Sequence, residues 1–359
     1  MTYDFDDILI MPADITDINS RSEVNPFYGG KLPLFAAPMD TVVNRGNIQS
    51  FLDAGIKVCL PRESTITPHH YSLNEDVFYA YSLADFRAVF LGEHHIKDGK
   101  FYALIDVANG HMPAVRDAVV ESKAIYGERL QLMVGNIANP DTYTILSQAG
   151  ADYIRVGIGN GGGCLTTQQT GVGYPMASLI EACFSRSMEL STPAKIVADG
   201  GFKKYADVIK ALAMGADYVM LGSILNKALE SAGENYVQTG VSASMIGYEE
   251  YFNSFQNEWF SRDQIPTPHD LMTFGTLYKK FRGMSTKEVQ KSLGNDVLKT
   301  SEGVVKYQKV EYTLKGWTEN FEHYLRSAMS YTNSKTLTEF IGYVNTVRIT
   351  QNAFNRYNK

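Results

Sequence analysis

Residues 157–175 read Gly-Ile-Gly-Asn-Gly-Gly-Gly-Cys-Leu-Thr-Thr-Gln-Gln-Thr-Gly-Val-Gly-Tyr-Pro. Cys164 follows glycines at 157, 159, 161, 162 and 163, and Thr166 stands two residues on. Glycine lacks the Cβ that forbids strained backbone, so such a loop can expose its carbonyls and let a ligand come close. A thiol held there is accessible, which a nucleophile needs and a buried structural cysteine lacks. The same residues would also suit a flexible surface turn with an incidental cysteine.

A reactive loop needs a scaffold that holds both its ends. Apolar segments recur along the chain, each followed by a turn and usually by a helical pattern. Strands are expected at 32–37, 56–60, 86–91, 101–107, 131–135, 153–158, 195–199 and 217–222. Their near-continuous apolarity suits parallel strands covered on both faces. Amphipathic helices are expected between them, clearest at 140–149, 175–190 and 203–214, with Pro140 and Pro175 as starts and Gly150 and Gly215 as stops. The phrases Ala-Gly-Ala-Asp-Tyr (149–153) and Met-Gly-Ala-Asp-Tyr (214–218) repeat one helix-to-strand turn. Eight strands alternating with helices predict a (β/α)8 TIM barrel forming one catalytic domain over 1–359. A doubly wound open sheet is the alternative, although no Gly-x-Gly-x-x-Gly follows the first strand. The polar stretch over about 230–312 reads as a long flap after strand eight. Helical pattern returns at 317–345, with Trp317, Phe321, Leu325 and Met329 on one face.

Enzymes on this scaffold place their chemistry at the C-terminal ends of the strands. Those ends here are Asp106-Val107-Ala108-Asn109-Gly110, Gly135-Asn136, the glycine–cysteine loop, Asp199-Gly200-Gly201 and Gly222-Ser223. Glycine turns after strands seven and eight offer backbone N–H groups to a phosphate. Asp199 beside them suits a ribose diol, or else caps a turn. Phosphate and sugar together imply a nucleotide, with Cys164 facing its base or sugar. A thiolate beside a purine suggests attack at an electrophilic ring carbon, with hydride transfer to or from a nicotinamide.

The bulk properties narrow the setting. A formal net charge of −6 argues against nucleic acid as a partner. Three cysteines (59, 164 and 183) make no disulfide framework and favour a reducing, cytoplasmic location. The acidic first residues lack the plan of a signal peptide, and no apolar run approaches the ~20 residues of a membrane span.

The chain resembles the IMP dehydrogenase/GMP reductase family from about residue 3 onward. The resemblance rests on Tyr-Asp-Phe-Asp-Asp-Ile-Leu-Ile-Met-Pro (3–12), Ser-Arg-Ser-Glu-Val (20–24), Met-Asp-Thr-Val (39–42) and the Gly-Ile-Gly…Cys-x-Thr loop (157–166). Thr-Gly-Val-Gly-Tyr-Pro (170–175), Ala-Asp-Gly-Gly (198–201), Phe-Arg-Gly-Met-Ser (281–285) and Ser-Glu-Gly (301–303) extend it. The family's dehydrogenases usually carry a regulatory insertion of two cystathionine-β-synthase-type (CBS) domains after the second strand. No such insertion fits between the expected strands two and three. The dehydrogenases also present an Arg-Tyr pair on the flap, and residues 286–301 contain none. Arg-Ser-x-x-x-Tyr (326–331) and Val-Arg-Ile-Thr-Gln (347–351) are further features of the reductase branch.

The resemblance implies NADPH-dependent reductive deamination of GMP to IMP and ammonia by a homotetramer. The alternatives are an IMP dehydrogenase without CBS domains, or the same chemistry on a modified or deoxy purine nucleotide. Cys164 is then the nucleophile on purine C2, and Thr166 with Glu302 handles the proton for the departing ammonia. Asp199, Gly200, Gly201, Gly222 and Ser223 match the ribose-phosphate cradle. Gly283, Met284, Ser285 and Gly303 match contacts to the base. Ser20, Arg21, Asp106, Val107, Ala108, Ile158 and Gly159 match the cofactor side, where Arg21 suits a 2′-phosphate. The carbonyls of Gly159, Gly161 and Cys164 match a K+ site that orders the loop in relatives. The chain departs from the reductase pattern at Thr167-Gln168-Gln169, Met176, Ser223 and Lys299.

Overall fold

The computed structural model describes residues 2–65, 71–92, 98–238, 276–294 and 303–357. Eight parallel strands close into a barrel. They are β1 (Leu34–Ala36), β2 (Lys57–Leu60), β3 (Val77–Tyr81), β4 (Phe101–Asp106), β5 (Leu130–Ile137), β6 (Tyr153–Val156), β7 (Lys195–Asp199) and β8 (Tyr218–Leu221). Closure comes from β8 pairing back onto β1, with Phe35 opposite Met220. This is the expected (β/α)8 barrel, and the doubly wound sheet is excluded.

Alternation along each strand builds two cores. Phe35, Cys59, Phe78, Leu104, Met133, Val197 and Met220 fill the barrel interior. Leu34, Val58, Val77, Ile105, Val134, Ile196 and Val219 pack outward into the larger core that includes the helices. Helices Pro140–Gln148, Met176–Ser187 and Tyr205–Ala213 fall where the sequence places them.

Residues 86–91 are not a strand. They lie largely in the helix Leu83–Phe90, and the third strand is Val77–Tyr81, inserted between β2 and β4. A six-residue apolar run fits either period, and the flanking cap decides. Ser82 Oγ accepts the Asp85 N–H at 3.1 Å, and Phe86, Val89 and Phe90 then share one buried face. Phe86 and Phe90 stack at 4.9 Å, and the ring of Tyr81 packs edge-on against both.

The helix expected over 317–345 starts at Leu314 and stops at Tyr331. Thr313 caps it by accepting the Gly316 N–H, and Asn333 at φ +55° turns the chain before a short helix at Leu337–Phe340. Trp317, Phe321, Leu325 and Met329 are buried on its inner face as expected. Of the flap over 230–312, residues 239–275 and 295–302 lie outside the described residues. The rest includes β9 (Asn235–Gln238), β10 (Thr276–Arg282) and β11 (Val305–Lys309), which form a three-stranded antiparallel sheet. Among the described residues, no helix is long and apolar enough to cross a membrane.

Candidate functional site

A cavity of about 800 Å³ opens at the C-terminal ends of the strands, within the range of small-molecule sites. Its floor is polar because β4, β6 and β7 each end their inward-facing row with a charged residue. Arg155, buried on β6, donates from Nη1 to Asp106 at 2.7 Å and from Nη2 to Asp199 at 2.8 Å. Burial works against its charge, but Asp199 and Asp106 outweigh it and hold the guanidinium above its ordinary pKa. Asn136 donates to the same Asp199 oxygen, Oδ2, at 2.6 Å and to the Gly157 carbonyl. Both donors thus engage Oδ2 and leave Oδ1 of this cavity-lining carboxylate to other partners.

The glycine–cysteine loop runs from β6 across this floor. Gly157 has φ +128°, and a Cβ there would stand 2.6 Å from the Asp199 carbonyl, so only glycine lets the loop pass so close to β7. Thr167 ties the loop from within, its hydroxyl donating to the Val172 carbonyl at 2.7 Å with the Ile158 carbonyl 3.2 Å away. The Cys164 N–H closes a turn onto the Gly161 carbonyl at 2.9 Å. Its Sγ lies 3.3 Å from Thr166 Oγ1.

The flap completes the wall. Gly303 bridges to Cys164 in antiparallel fashion, and Val304 N–H donates to the Gly163 carbonyl. Gly283 N–H donates in turn to the Val304 carbonyl, placing the 283–285 turn beside the thiol loop. A Cβ on Gly163 would meet the Phe281 ring at 2.8 Å. Arg282 anchors the arrangement to the barrel rim through Asp40 and also pairs with Glu288. Burial opposes the Glu288 charge, yet Lys280 and Arg282 hold its carboxyl below the usual range.

Most expected site residues converge here. Cys164, Thr166, Asp199, Gly200, Gly201, Gly222, Ser223, Gly283, Met284 and Ser285 line the cavity, as do Asp106, Val107, Ala108, Ile158, Gly159 and Gly161. Gly303 touches the site through its bridge to Cys164. Glu302 lies outside the described residues, as does Lys299. Ser20 and Arg21 stand apart from the cavity. They form a capped turn against the helix Leu314–Tyr331, where Arg326 donates to the Arg21 carbonyl. Sequence reasoning missed Arg62, Gln290 and Leu293, which also line the cavity, and it left Arg155 without a role. A lone arginine in the apolar run Tyr-Ile-Arg-Val was the available signal.

A half-exposed thiol and a hydroxyl at the mouth of a (β/α)8 barrel, with a carboxylate open to the same cavity, define a barrel equipped for covalent chemistry on a hydroxylated ligand. The family model for the IMP dehydrogenase / GMP reductase domain matches residues 96–249. The GMP reductase of Vibrio campbellii is 32% identical over 255 residues, covering 66% of this chain and 72% of that protein. The Helicobacter pylori GMP reductase is 29% identical over 266 residues, covering 70% and 78%. The inosine-5′-monophosphate dehydrogenase of Chlorobaculum parvum is 42% identical over 145 residues, 40% of this chain and 29% of that protein. The chain thus spans under a third of that relative, and 44% of the Chlorobaculum tepidum dehydrogenase. The chain belongs to the IMP dehydrogenase/GMP reductase family.

Proposed function

We propose that this chain is a GMP reductase. The balanced reaction takes GMP, NADPH and two protons to IMP, NADP+ and ammonium. The Cys164 thiolate attacks purine C2 and forms a C–S bond. The C2–N bond then breaks, and the amino group leaves as ammonia with a proton relayed through Thr166 and Glu302. A nicotinamide held beside Asp106, Val107 and Ala108 would supply the hydride that C2 takes up. Cleavage of the C–S bond releases IMP and returns the thiolate.

The observation that carries this reading is that Cys164, in the cavity that Asp199 also lines, meets Thr166 through its side chain and the flap residue Gly303 through a β-bridge. Asp199 keeps Oδ1 for the ribose diol, because Arg155 and Asn136 both engage Oδ2. Gly200, Gly201, Gly222 and Ser223 offer the phosphate its turn. Gly283, Met284, Ser285 and Gly303 hold the base. Asp106, Val107, Ala108, Ile158 and Gly159 suit the nicotinamide end, since all five line the cavity beside the thiol loop. Arg21 lies away from them and gives the 2′-phosphate no partner in this cavity. The carbonyls of Gly159, Gly161 and Cys164 are oxygen donors of the kind potassium prefers, although Gly161 already accepts the Cys164 N–H. The assembly proposed is a homotetramer.

The 42% identity to a dehydrogenase segment favours a second reading, IMP dehydrogenase without CBS domains. Purified protein separates the two. NADPH absorbance should fall with GMP, and NAD+ should not be reduced with IMP. The opposite pattern installs the dehydrogenase, and silence in both assays sinks the reductase.

A further inference from the structure

Gly162 and Ser223 line the cavity beside the glycine turns read above as the phosphate cradle, and Lys306 approaches both of them from the flap. Lys306 on β11 donates from Nζ to the Gly162 carbonyl at 3.0 Å and sits 5.2 Å from the centroid of the Phe281 ring. A Cβ built on Gly162 would stand 3.2 Å from Ser223 Oγ and 3.3 Å from Lys306 Nζ. Hydroxyl and ammonium therefore flank one small space that this glycine leaves open. An ammonium carries three N–H donors, and Gly162 takes one. Among the described residues no carboxylate pairs with Lys306, whereas neighbouring Lys227 is matched by Glu311 at 3.0 Å. Burial, then the like charge of Lys227, pulls Lys306 below the ordinary lysine pKa. An anion at this point would relieve a charge that the described chain leaves uncompensated.

We propose that Lys306 binds the substrate's phosphate dianion, sharing it with Ser223 and the adjacent glycine turns. It thereby makes the cavity select phosphorylated over unphosphorylated ligands. The proposal rests on reading the cavity as a nucleotide site, but it concerns the phosphate and not the base. A charge-assisted donor delivered by the flap would also make phosphate binding strengthen the contact between β11 and the thiol loop.

The test is calorimetric titration of wild type, Lys306→Met and Lys306→Arg with GMP, guanosine, ribose 5-phosphate and ribose. A thermal melt checks that each variant folds, and Lys306→Gln replaces the methionine variant if that one unfolds. Loss of the ammonium should weaken GMP and ribose 5-phosphate roughly 10- to 100-fold, as expected for a charged hydrogen bond. Guanosine should be unaffected, and arginine should restore most of the loss. Equal affinity for ribose 5-phosphate in wild type and the methionine variant would overturn the proposal. So would wild type holding ribose 5-phosphate no better than ribose. A loss for guanosine as large as for GMP would reduce Lys306 to a prop for the Gly162 carbonyl. If GMP gives no turnover while ribose 5-phosphate still depends on Lys306, the reductase reading falls and this assignment stands.

Discussion

Cys59, Cys164 and Cys183 carry the same thiol and differ in their surroundings. Cys59 and Cys183 are buried, and burial alone pushes Cys183 up to about 12. Cys164 is half-buried at the cavity. Iodoacetamide at neutral pH should therefore label Cys164 alone, as read by peptide mass mapping, and Cys164→Ala should abolish both labelling and turnover. Labelling of Cys183 at a similar rate would contradict this. Arg155 makes the second residue-scale case. Replacing it with Met leaves Asp106 and Asp199 facing each other at the barrel floor without their shared cation. The expected cost is about 3–5 kcal/mol in urea unfolding. A cost below about 1 kcal/mol would mean that cavity water already solvates both carboxylates. Cys164 was legible in the sequence because its glycines are contiguous with it. The role of Arg155 was not, because its partners come from β4 and β7, 49 and 44 residues away in sequence.

At the scale of elements, apolar runs and capping explain both the correct expectations and the errors. The strands before the thiol loop and before Asp199-Gly200 read correctly because each is apolar and bounded by glycine. The segment 86–91 read wrongly because its apolar run is short, and Ser82 makes it a helix. The flap strand β10 shows alternation with one charged member. Leu277, Lys279 and Phe281 all face inward, and Lys279 donates from Nζ to the Ser231 carbonyl at 2.7 Å. Burial lowers the Lys279 pKa to about 8, against a weaker opposing pull from Glu230. Between about 8 and the ordinary lysine range near 10.4, the unfolded chain holds a proton that the folded chain has released. The contribution of Lys279 to stability therefore rises with pH across that window. The melting temperature of Lys279→Met minus that of wild type should fall as pH rises from about 8 to about 10. A difference that stays flat over this range would mean that Lys279 keeps its proton through it.

For the molecule as a whole, the homotetramer is the proposal to measure. Light scattering should return about four times the 39.9 kDa chain mass, and a monomer mass would remove it. Ser20 and Arg21 sharpen the point, because they stand off their own chain's cavity, against the helix Leu314–Tyr331. The sequence by itself determined the barrel and the chemical identity of the thiol loop. Near-continuous apolar runs, glycine turns and a cysteine among glycines are local signals, written within a few residues of one another. Only the tertiary structure decided which groups act together. The Arg155 bridge, the pairing of Cys164 with Gly303 and the approach of Lys306 to Gly162 each join residues from separate elements. Those contacts exist because barrel closure brings β4, β6 and β7 to one mouth and the flap packs across it. No local spacing encodes such distances, since they depend on how the whole chain returns on itself.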